Sequence, residues 1–194
     1  VFADDDNVLA PDYLFALEQL LKEHPQVGVW GPGEVKVEFQ GKEKTWIRKH
    51  FSYLFQEKQL PEVQFGSEKG WPSYYPAGSG LCVQRIVMEQ YARDVEAGRL
   101  SSAGRKGKEL SSGEDAQLVW TAIKMGMNAG SSPSLKLVHL ITASRQTLGY
   151  LQKLQRQIAS SYSRAFVEMF PEQAVQMKPL SAGGYFKLAL SMLI

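Results

Sequence analysis

Three consecutive carboxylates, Asp4-Asp5-Asp6, with Asn7 behind them, are the first residues of this chain able to do chemistry. Adjacent like charges repel unless a cation lies among them, and hard oxygen atoms suit Mg²⁺ or Mn²⁺. The carboxyl end of a buried strand is also where open α/β sheets bind ligands. The same residues would serve equally as a solvated acidic turn ahead of a helix, whose dipole favours negative charge. A calcium loop is excluded, because Val8 and Leu9 stand where such a loop needs ligands and glycine. A second group, Gly113-Glu114-Asp115, falls at a predicted helix start. A carboxylate there can cap the helix and offset its dipole, or it can face an acceptor as a general base. His139 lies inside the apolar run Leu137-Val138-His139-Leu140-Ile141, which suits either a hydrogen-bonded core histidine or a ligand. Trp71, Tyr74 and Tyr75 can stack on a sugar face or pack beneath their own loop.

The elements that must position these groups follow from periodicity and breakers. Val1-Phe2-Ala3 reads as the end of a buried strand running into the acidic loop. Pro11 and Asp12 open a helix carrying the stripe Leu14, Leu17, Leu20 and Leu21 and closing before Pro25. Val27 to Trp30 reads as a short buried strand, Gly31-Pro32-Gly33 as a turn, and Val35, Val37 and Phe39 as a half-exposed strand. Trp46 to Phe55 has helical spacing. The breakers of residues 66–80 force a loop that leads into a strand at Leu81-Cys82-Val83, with a helix from Ile86 to Val95 behind it. Gly98 to Gly113, rich in Gly, Ser and basic residues, is an exposed loop of the length lids often have. Ser111 or Ser112 can cap the following helix, whose apolar face is Ala116, Val119, Trp120, Ile123 and Met127. A strand over Leu135 to Leu140 and a long amphipathic helix from Gln146 to Phe170 complete the pattern.

The chain has 194 residues, 44% hydrophobic and 22% charged, which is the composition of a folded globular protein rather than a disordered or fibrous one. A net charge of +2 gives no electrostatic case for a nucleic-acid partner. The lone Cys82 excludes an intrachain disulfide framework and suits a reducing compartment, hence an expected cytoplasmic location. Opening directly on Val1-Phe2-Ala3, the chain is expected to begin in mid-structure, as a fragment. The apolar segment Tyr185 to Ile194 is about half of the roughly 20 residues a membrane span needs. It fits a helix packed on its own protein or a peripheral membrane contact at the inner face.

Taken in order, Phe2-Ala3-Asp4-Asp5-Asp6-Asn7, Pro11-Asp12-Tyr13-Leu14, Ala77-Gly78-Ser79-Gly80-Leu81, Gly113-Glu114-Asp115 and Leu137-Val138-His139-Leu140-Ile141 resemble family 2 glycosyltransferases of the GT-A fold over about residues 1–150. The resemblance implies a mixed sheet flanked by helices, with residues 1–145 as the metal and acceptor half and 146–194 as a helical C-terminal extension. It implies an inverting enzyme that moves one sugar from a nucleotide-sugar donor to a glycan or lipid-linked acceptor, with Mn²⁺ or Mg²⁺ as cofactor. Asp4 and Asp6 match the family's Asp-x-Asp motif and His139 a histidine near the metal, so these three are the implied ligands. Asp4, Asp5 and Arg145 would contact the donor. Asp115 matches the catalytic base, Glu114 would orient acceptor or base, and Gly78, Ser79, Gly80 and Trp71 would face the acceptor. The processive Gln-x-x-Arg-Trp motif does not follow Glu114-Asp115, which implies single-sugar transfer. The family's nucleotide-binding strands precede the acidic motif, so the fragment alone is expected to be inactive. The other reading is a GT-A-like domain that binds a carbohydrate or a partner without transferring sugar.

Overall fold

The structure, a computed structural model, describes residues 1–42, 44–101 and 113–174. Most of the basic Gly/Ser loop, both candidate cap serines and the apolar segment from Tyr185 lie outside the described residues. The architecture is α/β, with a mixed six-stranded sheet flanked by helices. Two long strands form its centre: β2 (Val27–Phe39) and β6 (Asn128–Ile141) run parallel. All other pairings are antiparallel and short. β1 (Asn7–Leu9) and β4 (Gln64–Gly66) line up along the outer edge of β6, and β3 (Lys58–Gln59) and β5 (Cys82–Val83) along the outer edge of β2.

The burial of β2 changes along its length. Val27 to Gly33 is buried at every position, as a strand covered on both faces must be, whereas beyond it Val35 and Val37 point inward and Lys36 and Glu38 outward. The expected turn at Gly31-Pro32-Gly33 does not form: the strand runs straight through it. The register shifts instead, Pro32 opposing Ser132 and Glu34 opposing Lys136, so the extra residues bulge out of β6 around Pro133. Two prolines without N–H donors face this stretch, which is why a bulge costs little there. Gly33 is required by proximity, since a Cβ at that position would lie 2.5 Å from the Ser132 carbonyl carbon.

Helices cover the sheet in three apolar groups. α1 (Tyr13–Glu23) buries Tyr13 and Leu20 against Val27, Trp30 and Leu135, while Leu14 and Leu21 of the expected stripe face solvent. The Tyr13 hydroxyl fixes this rotation by donating to the Gly80 carbonyl at 2.6 Å. α2 (Thr45–Phe51) and the 3-10 turn Ser52–Phe55 close over Val37 and Ile141 with Ile47 and Phe55. α3 (Arg85–Glu96), α4 (Glu114–Lys124) and α5 (Leu148–Met169) make the largest group, and the short α6 (Pro171–Ala174) follows them. α4 is buried from Ala116 through Ala122 and presents Trp120 edge-on to Trp71, Tyr162, Phe166 and Phe170. α5 starts at its Thr147 cap, whose hydroxyl accepts from the Tyr150 N–H, and adds Ala165 and Met169 to the core around α4.

Val1-Phe2-Ala3 forms no strand in the described residues. Its side chains are exposed and one backbone bond, Phe2 N–H to the Leu81 carbonyl, holds it. No helix among the described residues is long and apolar enough to cross a membrane.

Gly33→Ala is expected to cost about 1–3 kcal/mol by forcing the Ser132 backbone to move, read as a lower denaturant midpoint. Gly149→Ala, in the first turn of α5 with open space around it, is expected to gain up to about 1 kcal/mol in the same measurement.

Candidate functional site

The acidic triplet does not act as one unit. Asp6 immediately precedes β1, and because β1 is antiparallel to β6 with Asn7 opposite His139, Asp6 arrives at the carboxyl end of β6. Its backbone carbonyl accepts from Leu140 N–H at 2.8 Å. Its side chain is largely buried: Oδ1 accepts from Asn7 Nδ2 at 3.0 Å, and Oδ2 accepts from the Arg145 guanidinium and lies 3.5 Å from His139 Nε2. Arg145 reaches it from the 3-10 turn Ala143–Arg145 that ends β6. Asp5 is exposed. Asp4 bonds through its backbone N–H to Asn7 Oδ1 at 3.3 Å and lines a cavity away from this cluster. Asp6 and His139 are thus brought together and Asp4 does not join them; no three His, Cys, Asp or Glu side chains form a metal-holding group among the described residues.

His139 is oriented by its other ring nitrogen. Nδ1 lies 2.9 Å from the Phe55 carbonyl oxygen, which can only accept, so the proton is on Nδ1. Nε2 is left facing the Asp6 carboxylate oxygen that also accepts from the Arg145 guanidinium. A carboxylate and an imidazole nitrogen are also a donor set that fits Mn²⁺ or Mg²⁺ when phosphate oxygens complete the shell.

Asp115 stands where two cavities meet. The smaller, about 230 Å³, is lined by Phe2, Asp4, Gly78, Glu114 and Leu118, and the larger, about 410 Å³, by Tyr53, Lys58, Trp71, Tyr75 and Tyr162 among others; Gln56, Ser79 and Asp115 belong to both. The Asp115 carboxylate accepts from Gly78 N–H at 3.1 Å and from Ala116 N–H at 2.8 Å, so it does cap α4, whose Gly113 has no side chain to do so. Burial pushes its pKa up to about 6; the Ala116 N–H opposes that shift and the neighbouring Glu114 charge adds to it. Glu114 Oε2 is buried with no hydrogen-bond partner among the described residues, an acceptor that a ligand hydroxyl would satisfy.

The remaining expected acceptor residues divide. Gly78 and Ser79 line the smaller cavity, and Trp71 the larger, where it sits edge-on to Tyr75 and Tyr162. Gly80 faces the core instead: φ is +71°, and a Cβ there would lie 2.8 Å from the Leu137 side chain. Sequence reasoning missed the Phe55-Gln56 corner, which anchors His139 on one side and lines both cavities on the other. Gln56 has φ +64°, a left-handed residue with no glycine to announce it.

The Asp115 carboxyl carbon is expected to titrate in NMR with a midpoint near 6, and Glu114→Gln to lower that midpoint by removing a neighbouring negative charge. Compared with protein-family models, curated proteins and solved structures, the chain has no match.

Proposed function

We propose that this chain is the metal- and acceptor-binding part of an inverting glycosyltransferase, which moves one sugar from a nucleoside-diphosphate sugar to an acceptor hydroxyl in glycan or lipid-linked glycan assembly. The observation that carries the reading is Asp115: a carboxylate at the junction of two cavities with its pKa raised to about 6, close to the pH at which a general base is most effective. Each carboxylate oxygen accepts one backbone N–H and keeps a second lone pair free for an acceptor hydroxyl.

The acceptor hydroxyl gives its proton to Asp115 as its oxygen attacks the anomeric carbon. The bond from that carbon to the diphosphate breaks on the opposite face, and its electron pair leaves with the nucleoside diphosphate, so configuration inverts. Glu114 accepts from a second acceptor hydroxyl and fixes the sugar's orientation. On the donor side, Asp6 and His139 would hold the divalent ion, and Arg145 and Asp4 would face the diphosphate and ribose. When bound, Mn²⁺ or Mg²⁺ would neutralise charge developing on the departing phosphate.

A second reading has its own support. Asp6 is already paired with Arg145 and Asp115 already caps α4, which is what a carbohydrate-binding domain without transfer activity would also need.

The test extends the chain upstream through the nucleotide-binding strands that the proposal requires, and follows sugar transfer from UDP-, GDP- and dTDP-sugars with and without Mn²⁺. Asp115→Asn is expected to lower kcat by about 10²–10⁴-fold while donor binding survives. Asp6→Asn is expected to abolish the metal-dependent turnover. Because the base must be ionised, the wild-type rate should rise with pH through about 6 and level off above it. Glycan binding without transfer, unchanged by either substitution, would establish the second reading instead.

A further inference from the structure

Lys58 is a charge that the glycosyl-transfer scheme leaves unused. It lies on β3, paired with Val35 of β2, and is one of the residues lining the 410 Å³ cavity. Its one hydrogen bond among the described residues is to Ser131 Oγ at 3.0 Å, and it makes no ion pair there. The nearby acids are engaged elsewhere. Glu57 pairs with Arg48 at 2.9 Å and Glu34 with Lys136 at 3.1 Å, while Asp115, on the same cavity wall, bonds to backbone donors. Burial with no opposing carboxylate pulls the Lys58 pKa down to about 8, so the ammonium is charged at neutral pH and unbalanced.

The cavity is also lined by the aromatic Trp71, Tyr75 and Tyr162 and the aliphatic Val35 and Leu54, with Glu57, held by Arg48, and Asp115 as its carboxylates. Aromatic faces suit the C–H face of a sugar ring or another flat apolar group. A neutral ligand filling this space would bury the Lys58 ammonium further without a partner, at a cost that an anionic group would offset with a charge-assisted hydrogen bond.

We infer that the larger cavity takes a ligand bearing an anionic oxyacid, a carboxylate or a phosphate, seated on Lys58 with its apolar face against the Trp71 wall. Resting on the proposed function, the ligand is the acceptor: Asp115 borders the same cavity, so an acidic or phosphorylated sugar held by Lys58 presents a hydroxyl to the base.

Direct binding tests this without any transfer reaction. The probes are methyl glucuronide, glucose 6-phosphate and neutral methyl glucoside, titrated into the protein by NMR, with wild type, Lys58→Met and Lys58→Arg compared at matched thermal stability. At least one acidic probe is expected to bind roughly 10-fold or more tightly than methyl glucoside. The carboxylate and phosphate arms identify which anion is preferred. Lys58→Met is expected to reduce that preference to about one, and Lys58→Arg to keep most of it. The preference should fall as pH rises through about 8, since Asp115 is ionised well below that window and burial pushes the Tyr75 and Tyr162 phenols above it. Equal binding of neutral and acidic probes by wild type, or a preference that survives Lys58→Met, would overturn the inference while leaving the transfer scheme standing. An acid preference lost in Lys58→Met, in a protein that transfers no sugar, would keep the anion site and remove the acceptor assignment.

Discussion

The parallel pairing of β2 with β6, eleven residue pairs long, is the constraint on which the rest of the structure depends. Parallel neighbours cannot be joined by a tight turn, so everything between Phe39 and Asn128 becomes crossover. That crossover carries the Phe55-Gln56 corner, Lys58, Trp71, the Gly78-Ser79 segment and the start of α4, each of which lines one or both cavities. β6 in turn fixes the other cluster. Its carboxyl end presents His139 and, one turn later, Arg145, and β1 lies antiparallel beside it so that Asp6 meets both.

The two clusters handle charge differently. Asp6 accepts from Asn7 and from the Arg145 guanidinium and lies against His139, so the carboxylate is held in place with its charge paired. Around the cavities the charges stay apart. Among the described residues, Asp115 leans on backbone donors, Glu114 has a buried oxygen without a donor, and Lys58 has a hydroxyl but no anion. Each such group costs free energy when buried. A rigid frame is needed to keep them there, and α4 supplies it. With every residue from Ala116 to Ala122 buried and Trp120 locked among four aromatic rings, the start of this helix has little freedom to relax toward water.

The Phe55-Gln56 corner links the clusters physically. The Phe55 carbonyl sets which nitrogen of His139 carries the proton, and the next residue turns left-handed and lines both cavities beside Asp115. A shift of this corner would therefore disturb the imidazole and the cavity walls together.

The longer helices and the outer half of β2 were legible in the sequence, whereas the short strands β1, β3 and β4 and the first half of β6 were not. Period-3.6 stripes and the Pro and Gly punctuation located α1, α3, α4 and α5, and alternation located the outer half of β2, because local pattern and local propensity agree at those places. Three things required the tertiary structure. Gly31-Pro32-Gly33 has the composition of a turn, yet a flanking strand that bulges at Pro133 lets β2 run through it, and no local signal encodes a neighbour's bulge. The Leu14 and Leu21 edge of the α1 stripe lost to Tyr13, because a hydroxyl reaching Gly80 across 67 residues set the helix rotation. At the site, the residue types of Asp6, Glu114, Asp115 and His139 were legible as candidates. That Asp4 and Asp6 part company, that Arg145 and His139 share one carboxylate oxygen, and that Gln56 and Lys58 line the cavities beside Asp115 were not. Those relations join residues far apart in the chain, and their geometry follows only from how the strands pair and how far each side chain reaches.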